Sequence, residues 1–510
     1  MEVEFKFQIP ADRLDDVEAD LRSAPVQRTR LRARYFDTAQ GALAAHKVVV
    51  RLRQEGRKWV QTAKSAGLGP LDRLEHNVDV KDVKGAATAA PDVQLHADTP
   101  VGKLLAELLA QAGEPLVEVY ATDIWRLVRR DQQGLTRIEL ALDMGRVLVP
   151  VQGSRKPRAK QICELELELL DGPVQGLVDA AHRWSQRHGL WLSTVSKAAQ
   201  GERLLAGADS VPAIKATPPV YPDASASRPN GSQVQRAVIT SCLAQVLPNA
   251  SEIAAGSEVP EHIHQARVGL RRLRTALREL APLAPGFDPA WQEPLSAAFQ
   301  ALGARRDGET VLSGVALRLA AAGGPPVVLA GDRSAALSPA EAMQAAPFQA
   351  VLVALIGFVS GHIDGDAAGA AVEGTGAESL AANETRRRLQ ARLNKLHART
   401  VHDGKNFESL TPDEQHAVRK RLKRLRYLAE FVAPLFKGKK VRRYLERLEP
   451  AQDALGRYND DIVALQAYRD AVTTDPRAWF AVGWLSAHQA VDAHRCMKAL
   501  RRIDDAPAFW

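Results

Sequence analysis

Cysteine is scarce in this chain, with three among 510 residues. Cys163, Cys242 and Cys496 lie far apart and are odd in number, so they form neither a disulfide framework nor a zinc-ligand spacing. A reducing cytoplasm is the expected setting. Long apolar runs are missing too. The longest, Phe348 to Val359, is broken by Gly357 and falls short of the roughly 20 residues a membrane helix requires, so it is read as a buried helix and no membrane partner is expected. Charge begins at Glu2 with no apolar segment behind it, which speaks against a secretory leader. Aromatics amount to 5% of the chain. A surface for single-stranded nucleic acid needs rings among its basic residues, and the two most basic helical stretches contain only Tyr427, so nucleic acid is disfavoured.

What is present is ordinary for a globular protein, 45% hydrophobic and 25% charged, in a chain too long for one core. The charge is uneven. Residues 1 to 210 hold 30 Lys+Arg against 29 Asp+Glu, leaving 38 (68 − 30) against 31 (60 − 29) beyond, so the net +8 divides into +1 and +7. A basic rear half points to an anionic partner. The segment 206–232, with five prolines and neither strand nor helix period, reads as a linker. Ahead of it the period is mostly two, in "KVVVRLRQ", "KWVQTAKS", "TRIELALDM" and "CELELELL", with helical stretches at "LDDVEADLRS", "PVGKLLAELLAQAG" and "LVDAAHRWSQRHG". Behind it the period is helical, interrupted by Ala/Gly/Pro-rich segments near 314–342 and 364–385 that read as a loop between two helical halves. The expected fold is α+β in two domains: an antiparallel β-barrel tunnel with peripheral helices over 1–205, and an all-α duplicated bundle over 233–510, with repeats near 233–325 and 380–510.

The opening "MEVEFK" places Glu2, Glu4 and Lys6 on one strand face and Val3 and Phe5 on the other. A solvated strand has this pattern as well, but it recurs. Arg51 and Arg53 share a face, as do Thr62 and Lys64, Arg73 and Glu75, Glu139 and Asp143, and Glu164, Glu166 and Glu168. Signs are segregated by strand. Three carboxylates in register repel one another unless a cation lies between them, and the basic rows suit a polyanion beside it. Closed with charged faces inward, such strands make a polar tunnel.

These residues resemble the CYTH domains, also called triphosphate tunnel metalloenzymes: "EVEFK" matches their ExExK signature, followed in order by "YFDT", "VRLR", "ELALDMG", "CELELEL" and "VSKAAQG". The resemblance implies a catalytic set of Glu2, Glu4, Lys6, Glu166 and Glu168, with Glu2, Glu4, Glu164, Glu166 and Glu168 toward the metal. It implies phosphate contacts from Lys6, Arg51, Arg53, Lys64, Arg73, Arg126 and Lys197. Glu75, Glu139 and Asp143 become tunnel carboxylates that orient those bases or bind a second ion. The implied chemistry is Mg²⁺- or Mn²⁺-assisted hydrolysis of a linear triphosphate, inorganic triphosphate foremost. Thiamine triphosphate, and ATP for an adenylate cyclase, are alternatives within the family. The water-activating base stays open between a carboxylate and the metal itself.

The rear half contains a repeat. "HQARVGLRRLRTAL" from His264 and "HAVRKRLKRLRYLA" from His416 align without a gap, and "LGARRD" ending at Asp307 corresponds to "LGRYND" ending at Asp460. At helical spacing His264, Arg267, Arg271 and Arg274 fall on one stripe about 80° wide, with Leu270, Leu273 and Leu277 on another. Equivalent stripes from two copies would pool these four with His416, Arg419, Lys423 and Arg426 into one positive surface. Asp307 and Asp460 are expected to orient bases or cap helices. This half resembles the CHAD domain, which implies a two-fold helical bundle that binds inorganic polyphosphate; Glu430, where the first copy has Arg278, is a departure. Association with polyphosphate granules follows as an expectation. A non-catalytic polyphosphate scaffold is the competing reading.

Overall fold

In the computed structural model of the protein, residues 3–66, 73–80, 90–151, 153–154, 156–221, 228–304, 306–329, 337–361 and 379–510 are described; the side chains of 66, 73, 304 and 306–311 are not. Glu2 therefore lies outside the described residues, as do the Arg73 and Asp307 side chains. The strands are β1 (Glu4–Gln8), β2 (Gln27–Asp37), β3 (Val48–Glu55), β4 (Lys58–Ala66), β5 (Arg73–Asp79), β6 (Val117–Gln133), β7 (Thr136–Val149), β8 (Arg158–Asp171) and β9 (Trp191–Leu192). Among them lie α1 (Leu14–Leu21), α2 (Ala42–Ala45), α3 (Pro100–Ala112), α4 (Val174–His188) and α5 (Lys197–Ala206). Every later element among the described residues is helical: α6 (Gly231–Ala254), α7 (Pro260–Leu280), α8 (Gln292–Ala304), α9 (Arg306–Ala321), α10 (Pro339–Gln344), α11 (Ala346–Ser360), α12 (Ala382–Lys405), α13 (Pro412–Val432), α14 (Gly438–Ala471) and α15 (Ala478–Asp504).

Two compact units result. The first comprises Met1–Lys215, Leu243–Ala266 and Pro339–Ala367, and the second Ala216–Cys242, Arg267–Ser338 and Ala368–Trp510. In the first, all nine strands form one antiparallel sheet in the order β5-β4-β3-β2-β6-β7-β8-β1-β9. Alternation sorts its side chains. Phe5, Phe7, Leu140, Leu142, Leu165 and Leu167 are buried on one face, where α4 packs on β7 and β8. The opposite, charged face is buried as well: Lys6 is 5% exposed, and Asp143, Glu164 and Thr62 are fully covered. Thr62 lies on β4, five strands from β8 in sheet order, so its burial with the carboxylates is what a sheet curled around its own polar face produces. One end of that face is apolar, and Ala198 of α5 joins its cluster of Leu31, Tyr35, Tyr120, Ile124 and Val147. The expected buried helix is α11, with Phe348, Leu352, Val353, Leu355 and Ile356 inside; it packs on α4, and Gln349 Oε1 accepts the Leu192 N–H at 2.8 Å.

The duplication is visible in the helices. Helices α6 and α12 are both 24 residues long, and α7 and α13 are both 21 residues, start at a proline and end in an Ala-Pro-Leu 3₁₀ turn. Proline suits the first helical position because its missing N–H has no partner there in any case. The described residues of the proline-rich segment before α6 form no helix or strand, yet they are anchored. Within the first unit Val211 O accepts from His262 Nε2 at 2.7 Å, and within the second Tyr221 donates to Phe431 O at 2.7 Å.

Candidate active site

The register of the curled sheet aligns the charged residues into rows across strands. Glu4 opposes Glu168, which opposes Glu139; Lys6 opposes Glu166; Gln8 opposes Glu164, which opposes Asp143, which opposes Arg126. On the other wing Arg51 stands between Tyr35 and Thr62, and Lys64 opposes Glu75. Opposed residues in an antiparallel pair project from the same face, so carboxylates and bases from seven strands share one buried surface.

Lys197 is its hub. Ser196 caps α5 by accepting the Ala199 N–H at 3.0 Å, which makes Lys197 the first helical residue. A cation there opposes the helix dipole. Three carboxylates offset it: Lys197 Nζ lies 2.7 Å from Asp143 and 2.7 Å from Glu166 and also pairs with Glu164. Arg126 bonds Asp143 through Nε and Nη2 at 2.7 and 2.6 Å and reaches Glu166 at 2.6 Å. Burial works against every charge in this group. Asp143, Glu164 and Glu166 nevertheless hold the Lys197 ammonium well above its ordinary pKa, and Lys197 and Arg126 hold the Glu166 carboxyl well below its own. Glu164 is pushed up, by burial first, with Glu166 and Asp143 adding to it against the pull of Lys197 and Lys6.

The ligand atoms of Asp143, Glu164 and Glu166 come within 4.8 Å of one another, close enough to share a cation. Asp143, expected as an orienting or second-ion carboxylate, thus joins two residues expected on the metal side. Glu4 and Glu168 meet at the other end of the face. There burial raises the Glu168 pKa, and Glu139, Glu4 and Glu166 raise it further, the signature of a place with more negative than positive charge. Hard carboxylate oxygens in such a field suit a hard divalent cation.

The remaining expected residues fall around these two centres. Lys6 Nζ donates to Val195 O at 2.5 Å, Lys64 pairs with Glu75, Arg53 pairs with Glu55, and Arg130 reaches Glu139 at 3.0 Å. Arg51 is a half-buried neighbour of Glu75, and its Nε has no hydrogen-bond partner among the described residues. Sequence reasoning passed over Glu55, Arg130 and Tyr35. Glu55 was readable, since it continues the alternation of Arg51 and Arg53; the other two depend on register.

In the second unit the two basic stripes are not equivalent. Arg267, Arg271 and Arg274 of α7 gather about the Phe299 ring, with Cζ 4.9, 5.6 and 5.9 Å from its centroid. Arg272 is buried elsewhere on the helix, its Nη2 3.4 Å from Ser241 Oγ and its Cζ 5.4 Å from the Phe431 ring centroid. His264 is exposed. On α13, Arg426 bonds Glu430 at 2.7 Å and also Gln452, while Arg419 and Lys423 lie near Asp460. His416 touches Asn459 at 3.3 Å; burial and then the charge of Lys420 lower its pKa. With Arg419, Asn459, Gln466 and Arg469 it lines a pocket of about 220 Å³.

Comparison with known proteins matches residues 1–201 to the CYTH domain and residues 237–469 to the CHAD domain. A Haemophilus influenzae inorganic triphosphatase is 28% identical over 170 residues, which cover 33% of this chain and 44% of that protein. The match thus spans less than half of the relative's length. Among solved structures, the CHAD domain from the plant Ricinus communis is 24% identical, covering 57% of this chain and 96% of its own at a TM-score of 0.42. A Hippeastrum protein named as an adenylyl cyclase, with a dominant triphosphatase activity, is 20% identical, covering 41% and 97% at a TM-score of 0.30.

Proposed function

Because this chain joins a CYTH domain to a CHAD domain, we propose that it hydrolyses inorganic triphosphate to pyrophosphate and phosphate, with Mg²⁺ or Mn²⁺, and holds inorganic polyphosphate on its helical half. The observation that carries this is the single buried face on which Glu4, Glu168, Glu166, Glu164 and Asp143 stand beside Lys6, Arg126 and Lys197. Anion binding alone has no use for so many carboxylates. A divalent ion held by them would neutralise phosphate oxygens and lower the pKa of a bound water.

The chain's own groups do the rest. Lys6, Arg51, Arg53, Lys64, Arg126 and Lys197 bind the non-bridging oxygens and keep the chain of phosphates extended, so that water attacks the terminal phosphorus in line with the departing pyrophosphate. Asp143, Glu75 and Glu139 keep Arg126, Lys64 and Arg130 aimed through the ion pairs described above. Burial of the face excludes bulk water and strengthens each of these interactions. On the helical half, the Arg267, Arg271 and Arg274 cluster and the His416 pocket supply positive charge for a polyphosphate chain.

Phosphate release from tripolyphosphate, ATP, thiamine triphosphate and long polyphosphate, with Mg²⁺ or Mn²⁺ and with chelator, tests the reading. Metal-dependent release fastest from tripolyphosphate is expected. Silence on all four, with polyphosphate still bound, would make the protein a polyphosphate scaffold.

A further inference from the structure

The outer face of the sheet has a charged row that the proposed chemistry does not use. Even-numbered residues of β2 point away from Tyr35 and the buried polar face, so Arg28, Arg30, Arg32 and Arg34 form a ladder on the outside, and the first three are exposed. Register extends it sideways. Arg32 opposes Asp123, which opposes Arg146; Arg30 opposes Trp125. Two carboxylates answer five arginines: Asp123 bonds Arg30 at 2.8 and 2.7 Å, and Glu118 bonds Arg34 at 2.7 Å. Arg28, Arg32 and Arg146 have no ion pair among the described residues. Asp123 cannot serve them as well, since its carboxyl, held low first by its bond to Arg30 and also by the charges of Arg32 and Arg146, is already shared.

This ladder stands on the fourth strand of nine, so it is no guard against edge pairing. Arginines two apart on a strand are about 6.8 Å from one another. Four in file with surplus charge are a surface that gains from a polyanion. Trp125 says which kind. It is 40% exposed and the single exposed aromatic of β2, β6 and β7, but Arg28 lies over its ring, Cζ 4.1 Å from the centroid. The face on which a nucleobase would stack is taken by a guanidinium, whose in-plane N–H groups remain free to meet phosphate oxygens.

We propose that the outer face of β2, β6 and β7, through Arg28, Arg32 and Arg146, docks a linear inorganic polyphosphate chain at a site separate from the tunnel. The inference shares the phosphate chemistry of the proposed function but is read by binding, so it stands or falls apart from hydrolysis.

The test compares the full chain with its Arg32→Gln/Arg146→Gln variant. Binding of long-chain polyphosphate, a single-stranded oligonucleotide and polyglutamate is titrated from about 0.05 to about 0.3 M salt, a range over which the Debye length shortens. Removing two phosphate contacts should make log K against log salt for polyphosphate shallower by about 1.4, with little change for polyglutamate. Arg32→Lys/Arg146→Lys should restore the slope. Tripolyphosphate hydrolysis should be equal in the parent and the glutamine variant; if neither hydrolyses but the slope falls, the docking site survives and the triphosphatase reading fails. An unchanged polyphosphate slope would overturn the docking site, and a loss confined to the oligonucleotide would reassign the face to nucleic acid.

Discussion

Replacing Lys197 by methionine probes the centre of the buried face. Methionine preserves the length of the side chain and removes its charge, leaving Asp143, Glu164 and Glu166 within 4.8 Å of one another with Arg126 and Lys6 as cations still beside them. Breaking a buried ion pair by removing one partner costs about 3–5 kcal/mol. Arg126 still bonds two of the three carboxylates, so the lower end, about 3 kcal/mol, is expected. For a unit of about 270 residues each kcal/mol moves Tm by about 2–3 °C, which places the loss at about 6–9 °C. Calorimetry of the first unit's transition at neutral pH, without divalent ions, reads it directly.

The pH dependence has a definite sign. In the parent, the depressed Glu166 pKa contributes stability above the ordinary carboxylate range that is lost as pH falls through its folded value; the raised Lys197 pKa contributes stability that is lost only as pH rises through that raised value. In the variant the three carboxylates repel one another with one cation fewer between them, so acidification, which neutralises carboxylates, relieves the folded state. The deficit should therefore be widest at neutral pH and narrow toward pH 4. Added Mg²⁺ or Mn²⁺ should recover part of it, since a cation replaces a cation. A variant melting within about 2 °C of the parent at neutral pH, or a deficit that widens on acidification, would refute this account of Lys197.

Glu4→Gln should abolish phosphate release from tripolyphosphate while Tm stays within about 2 °C of the parent, because the residue stands opposite Glu168 where like charge already accumulates; an undiminished rate would remove Glu4 from the metal side. Arg271→Glu with Lys423→Glu should weaken retention on immobilised polyphosphate and leave tripolyphosphate hydrolysis unchanged, and undiminished retention would dismiss the helical stripes as the binding surface. Gly201→Ala places a Cβ 2.3 Å from the Tyr120 ring, so despite alanine's better helix propensity it should lower Tm by roughly 5 °C. A stabilised variant would mean that α5 does not lie against the inner face as described.

Much of this was legible in the chain. The alternation in "VVVRLRQ", "KWVQTAKS", "DRLEHNV", "IELALDM" and "CELELELL" corresponds to β3, β4, β5, β7 and β8, because apolar and charged residues two apart cannot both be satisfied except on opposite faces of a strand. The strands β2 and β6 were harder. Arginine fills both the exposed rungs of β2 and the inner face of β6, so polarity there does not tell inside from outside. The repeat in the rear half foretold matching helices α7 and α13 but not their different surroundings. Arg272, the counterpart of Arg424, is buried against Phe431, because the environment of a repeated residue is set by the element it faces.

By itself, then, the sequence determined which residue types share a strand or helix face, since that follows from periods of 2 and 3.6 along one segment. It thereby determined the strand-rich front, the duplicated helical rear and the segregation of charge. Only the tertiary structure decided which rows meet. Lys197 stands 31 and 33 residues from Glu166 and Glu164, and no local rule brings them together. That contact depends on the register of β7 with β8, on the curl of the sheet and on the Ser196 cap that starts α5. Electrostatic energy falls with distance in space and is blind to distance along the chain, so the balance of charge on the buried face is a property of the fold.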